Sequence, residues 1–152
     1  MKILISLYIS LFFLTGCGFT PIYGSKDSNF EIIEFKNNNL SRGSNLIERS
    51  ILSTSKNDAI RKLKLELDHK EKVKVILKDN KGNPSKYKIV ITANVKVLNE
   101  KNTQIVKKNF TQEFGYDVQS DKFSMAEYEE NIKRNLNNKI ATDIIFLITT
   151  LK

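Results

Sequence analysis

One cysteine, one histidine, two prolines, six glycines and no tryptophan stand among 152 residues. Each scarcity narrows the chemistry. A lone cysteine cannot form an internal disulfide, and one cysteine with one histidine cannot complete a zinc site. So few prolines and glycines argue against a long disordered or low-complexity segment. No Gly-rich phosphate loop and no nucleophile elbow occurs. Asp68 with Glu71 and Glu129 with Glu130 are the nearest approaches to paired carboxylates. Adjacent positions on a helix point apart, which disqualifies the second pair. His69 follows Asp68 in a polar patch and reads as a solvated loop histidine rather than a general base. The chain is therefore expected to be no enzyme, to hold no metal, and to act through its surfaces.

The one cysteine is well placed for a different role. Lys2 precedes a greasy run from Ile3 to Leu14, and Leu14-Thr15-Gly16-Cys17 closes it. A secretory signal needs a basic start, an apolar stretch of about 7–15 residues and small residues before the cut. A membrane span needs about 20 apolar residues, and Gly16, Cys17 and Gly18 interrupt this run too early. The pattern is that of a bacterial lipobox, in which Cys17 takes a diacylglycerol and becomes the new amino terminus. Acylation also removes a lone thiol from an oxidising compartment. Residues 1–16 thus read as a lipoprotein signal peptide, 17–29 as a lipidated tether and 30–152 as the folded domain. Phe19, Pro21, Ile22 and Tyr23 put a small apolar cluster beside the lipid. Two readings of the tether stand: a spacer, or a segment that pins the domain to a partner or membrane.

Removing residues 1–16 leaves 152 − 16 = 136 residues, enough for one modest core. The apolar fraction is 40% and the mean hydropathy is −0.34. The full chain carries +8; without Lys2 the mature part has 24 basic and 17 acidic residues, or +7. A basic exported domain can meet acidic lipid headgroups or phosphates; nucleic acid does not fit an export signal. Arginine occurs only at Arg42, Arg49, Arg61 and Arg134. The rest of the positive charge is lysine, which an AT-rich coding bias also produces.

Phe30 to Phe35 is a short β-rich run. After Asn37-Asn38-Asn39, the positions Leu40, Gly43, Ile47 and Ile51 recur at three- and four-residue steps. They predict a helix of about 15 residues, capped by Asn39 or Ser41. Lys62 to Asp68 alternates strictly, and Val73, Val75 and Leu77 resume the same parity beyond the patch Asp68 to Glu71. This predicts one long strand with a local bulge, or two short ones. Asp79 to Pro84 is a turn. Tyr87, Ile89, Ile91, Ala93, Val95 and Val97 predict the longest strand, and Asn99 to Asn102 a tight hairpin. Val106, Phe110, Phe114 and Tyr116 mark the inward face of a further strand. Ser124-Met125-Ala126-Glu127 reads as a capping box that opens the last helix. Its stripe is Tyr128, Ile132, Leu136, Ile140, Ile144 and Ile148, widened by Leu147 and Leu151. Near its end apolar residues lie almost all round, as a core terminus or a partner interface would require.

The order strand, helix, strands, helix predicts an α+β two-layer sandwich. Two helices would pack on one face of a mostly antiparallel four-stranded sheet. Period two then gathers Lys62, Lys64, Lys74, Lys86, Lys88 and Lys96 on the face the helices leave open. Either solvent screens these six lysines or a polyanion offsets them. The candidates are acidic loops of a partner and the phosphates of a lipid; a solvated face from biased coding remains the plain alternative.

Cys17-Gly18-Phe19-Thr20-Pro21-Ile22-Tyr23-Gly24 resembles the start of the mature chain in the LPS-assembly lipoprotein family LptE, in its alphaproteobacterial form. That family opens with Cys-Gly-Phe, often followed by a Pro-apolar-Tyr-Gly element. Strand, helix, strands and a long closing helix follow in the order read here. The motif covers about eight residues, and the architecture covers the mature chain. The resemblance implies an outer-membrane lipoprotein on the periplasmic leaflet. It implies a β-barrel LPS-assembly partner that the lipoprotein plugs and helps fold, and lipopolysaccharide as a ligand. It implies no cofactor besides the covalent lipid on Cys17. Gly18 after the cysteine, in place of aspartate, fits outer-membrane sorting. The other candidate is an unrelated envelope lipoprotein serving as a structural or interaction module.

Overall fold

Alternating apolar residues build the sheet, and two helical stripes cover one side of it. The computed structural model describes residues 29–151. Chain order is β1 (Phe30–Asn37), α1 (Arg42–Leu52), β2 (Arg61–Lys78), β3 (Pro84–Asn99), β4 (Gln104–Asp117) and α2 (Lys122–Thr150). The strands lie side by side in sequence order. The connection through α1 makes β1 parallel to β2. The two hairpins make β2–β3 and β3–β4 antiparallel. Both helices pack on the same face, so the expected two-layer α+β sandwich with a mostly antiparallel four-stranded sheet is the fold. The signal peptide, Cys17 and tether residues 17–28 lie outside the described residues.

The core is where the alternation meets the helical stripes. Leu63, Leu65 and Leu67 of β2 and Ile89, Ile91, Val95 and Val97 of β3 are buried beneath Ile47 and Ile51 of α1. Ile132, Ile140, Ile144 and Ile148 of α2 complete the layer. Each such side chain contributes about 1.5–3 kcal/mol by leaving water. The closing helix carries no basic residue in its last turn. Arg61 supplies one from the sheet: its guanidinium donates to Leu151 O and, at 3.3 Å, to Ile148 O. That satisfies carbonyls which a helix end otherwise leaves orphaned, and it sets a cation at the negative end of the dipole.

Several local expectations are corrected. The first helix has 11 residues, not about 15. Ser41 is its cap, accepting from Ser44 N at 3.0 Å while Ser44 Oγ accepts from Ser41 N at 2.9 Å. Leu40 precedes that cap and is exposed rather than part of the stripe. The closing helix starts at Lys122, with Asp121 as its cap. Ser124 lies three residues inside the helix, where its backbone N–H donates to Asp121 Oδ2 at 2.7 Å. A carboxylate at that position also suits the dipole, so the roughly 1 kcal/mol of a cap resides at Asp121. The hydrogen bonds from Ser124, side chain first and then backbone, hold the Asp121 carboxyl below its usual range.

β2 is one unbroken strand of 18 residues. Its irregularity falls between Val75 and Leu77, not in the polar patch. The bulge flips Leu77 off the parity of Val73 and Val75 and sets it opposite Lys86. Pairing with β1 ends at Asn37↔Leu67. Val73 and Val75 face the helix side but remain exposed, and so does Phe114, which the hydropathy pattern had placed inward.

A polar hub under an interhelical cleft

His69 is the main departure from the sequence-based picture. It is 3% exposed and sits in mid-strand, on the parity of Leu63, Leu65 and Leu67. Burial of such a group requires partners for both ring nitrogens. Asn137, buried on α2, donates its amide to Glu71 Oε1 and to Lys133 O, both at 2.9 Å. Its Oδ1 therefore accepts from His69 Nε2, at 2.9 Å. Nε2 thus carries a proton, and His69 Nδ1 is hydrogen-bonded to the Ser41 hydroxyl at 3.1 Å. Ser41 is also the cap of α1. One imidazole thus ties together β2, the start of α1 and the middle of α2.

Gly43 closes over this hub. A Cβ there would lie 2.5 Å from Asn137 Nδ2, 2.9 Å from His69 Cε1 and closer still to Glu71 Oε1. The first turn of α1 sits so close to the hub that glycine alone fits at this position. Between α1 and α2, above the hub, opens a cleft of about 720 Å³. Arg42, Arg49, Lys133 and Arg134 line it, together with Glu71, Glu130 and Asn137.

The six lysines do share the open face of the sheet, but most have acidic neighbours. Lys64 pairs with Glu34 at 3.3 Å, Lys86 with Asp117 at 3.4 Å, Lys88 with Glu113 at 3.0 Å and Lys96 with Glu66 at 3.4 Å. Exposed pairs of this kind contribute little to stability but do neutralise the field locally. Lys62 lies across from Glu31 in register, and Lys74 lies directly across from Lys88. No ion pair of Lys62 or Lys74 is present among the described residues. Alternation gave the face correctly and was silent on the acidic residues that interleave it.

The site contains no metal-like cluster: no group of three or more His, Cys, Asp or Glu is poised for a metal among the described residues. Among the described residues no helix is long and apolar enough to cross a membrane. Near the start of α2 the Tyr116 hydroxyl donates to Glu129, and Tyr116 stacks on Tyr87 with ring centroids 5.8 Å apart. Burial first, and then the Glu129 carboxylate, push the Tyr116 phenol well above its usual range.

No curated protein sequence matches the chain. Solved structures do. A lipoprotein from Caulobacter crescentus aligns with a TM-score of 0.56 at 14% identity, covering 80% of this chain and 88% of its own. Rare lipoprotein B from Shewanella oneidensis aligns at 0.60 and 12% identity, covering 79% and 94%. A minor lipoprotein from Acinetobacter baumannii aligns at 0.60 and 10% identity, covering 78% and 90%. At these identities the likeness is one of fold. The sequence itself matches the model of the LptE family, described as lipopolysaccharide-assembly, over residues 28–148. That match spans nearly all of the folded domain, and the chain belongs to the LptE family.

Proposed function

We propose that this chain is a lipoprotein of the outer membrane, held on the periplasmic leaflet by a lipid on Cys17. There it plugs a β-barrel partner, helps it to assemble, and aids the insertion of lipopolysaccharide into the outer leaflet. The family match over residues 28–148 carries this reading. The lipobox at Leu14 to Cys17 agrees with it. So does the uncovered apolar end of the sheet, where Val73, Val75 and Phe114 face the helix side and are exposed. Apolar surface of that kind favours a protein partner. The lysine face is read as contacting acidic barrel loops or lipid phosphates. Lys62 and Lys74 are its most available positive charges, because carboxylates already answer Lys64, Lys86, Lys88 and Lys96. The role needs no catalytic residue, no metal and no cofactor beyond the covalent lipid.

Affinity purification from detergent-solubilised membranes tests the proposal. The parent chain is expected to bring down a large β-barrel and to begin at a diacylated Cys17 by mass spectrometry. Cys17→Ser removes the sulfur nucleophile, so lipid addition and the cut before residue 17 should both fail. The variant should therefore keep residues 1–16 and stay in the inner-membrane fraction instead of reaching the outer membrane. An unmodified Cys17, or a preparation with no barrel, would sink the reading.

A further inference from the structure

Three of the four arginines line one cleft, and the fourth, Arg61, is committed to the end of α2. The concentration runs against the composition. The chain has 25 basic residues, of which four are arginine, so a drift toward lysine accounts for its surface charge but not for this cluster. The two acidic groups in the cleft are already engaged. Glu130 is shared by Arg42 at 3.4 Å and Lys133 at 3.2 Å. Glu71 accepts from Asn137 at 2.9 Å and lies 3.6 Å from His69 Nε2. Arg49 and Arg134 have no carboxylate partner among the described residues; Arg134 donates to the neutral Asn131 amide oxygen. Arg49 does occupy the last turn of α1, where a cation suits the helix dipole. Lysine would serve that purpose equally well. What arginine adds is a planar fork of donors that matches a phosphate through two parallel hydrogen bonds.

We propose that the cleft between α1 and α2 is a phosphate site, in which Arg49 and Arg134 bind a phosphomonoester borne by a lipid headgroup or free in solution. At about 720 Å³ the cleft exceeds what a lone phosphate fills, so a headgroup extends along it. Asn45 and Ser50 line the same cleft and supply hydrogen-bonding groups for hydroxyls beside the phosphate. The polar hub fixes the spacing of the two helices and therefore of the two guanidinium groups. The lipid source rests on the lipopolysaccharide reading above; the phosphate chemistry does not.

The test uses the lipidated mature chain in detergent. It is titrated with inorganic phosphate, with purified lipopolysaccharide, and with the same lipid after enzymatic dephosphorylation. The comparison variants are Arg49→Ala/Arg134→Ala and Arg49→Lys/Arg134→Lys, with the fold checked by circular dichroism. The parent is expected to prefer phosphorylated over dephosphorylated lipid by about tenfold or more, the scale of a lost charge-assisted hydrogen bond. The alanine pair should lose that preference, and the lysine pair should keep only part of it. Equal preference in parent and alanine pair overturns the site while leaving lipopolysaccharide binding in place. Phosphate that shifts the Arg49 and Arg134 resonances, with no lipid bound, supports the site with free phosphate as its source and counts against the lipid reading. No binding of either probe overturns both.

Discussion

Ile140→Asp is expected to prevent stable folding of the domain. Ile140 is fully buried at the centre of α2, among the residues that close the core over the sheet. Truncating such a side chain alone costs about 2–5 kcal/mol. A carboxylate there adds the cost of an unpaired charge in apolar surroundings, or of neutralising it. The sum competes with the whole stability of a typical domain, about 5–15 kcal/mol. Phe146→Asp provides the contrast. It lies six residues further along the same helix and is 55% exposed, so its cost should stay near 0.5 kcal/mol, typical of surface changes. Thermal melts decide the matter. Comparable melting of the two variants would mean that α2 does not pack against the sheet through this face.

Gly43→Ala is expected to lower the melting temperature, although helix propensity favours the change. Replacing a helical glycine with alanine normally gains about 1 kcal/mol. Here the new methyl meets Asn137 Nδ2 at 2.5 Å and His69 Cε1 at 2.9 Å. Both belong to a buried network whose donors and acceptors are all taken, so moving one strands another. An orphaned buried polar group costs about 1–3 kcal/mol, and the displaced Asn137 would orphan more than one. The clash should therefore win, by about 1–3 kcal/mol net. For a domain of this size that is several degrees in melting temperature. A variant that melts at or above the parent would show that the helices part without cost and that the hub is not tightly held.

Periodicity revealed most of the architecture because the strands and helices here carry clean apolar patterns. Ile89, Ile91, Val95 and Val97 alternate without a break, and Ile132, Ile140, Ile144 and Ile148 fall on one helical stripe; both sets are buried. The failures share a cause. Asp68 to Glu71 is polar and looks like a gap in a strand, yet β2 runs through it. His69 keeps the inward parity of Leu67, a signal that was present and was overridden by its charged neighbours. Its partners explain why it tolerates burial, and those lie 28 residues upstream at Ser41 and 68 downstream at Asn137. Asn137 itself sits in a run of asparagines, with nothing local to mark it as buried.

The cleft was illegible for the same reason. Arg42 and Arg49 were visible as residues on one helix, and Arg134 as a residue on another. Their convergence depends on how α1 and α2 pack, which the hub sets and no periodicity encodes. Lys122 and Phe123 show the smaller version of this limit. Ser124 with Glu127 satisfied the capping pattern, but Asp121 satisfied it earlier in the chain and took the role. The lysine face was correctly assembled from alternation, whereas the carboxylates that answer four of its six members come partly from β1 and β4.

The most direct test of the central claim is to deplete this protein in its own cells and follow newly made lipopolysaccharide. A pulse label, membrane fractionation and a probe for lipid exposed on the cell surface give the readout. An assembly lipoprotein predicts that surface lipopolysaccharide falls as the protein is lost, while the label accumulates in the inner membrane and mature barrel declines. Surface lipopolysaccharide that arrives at the normal rate after complete depletion would contradict the account.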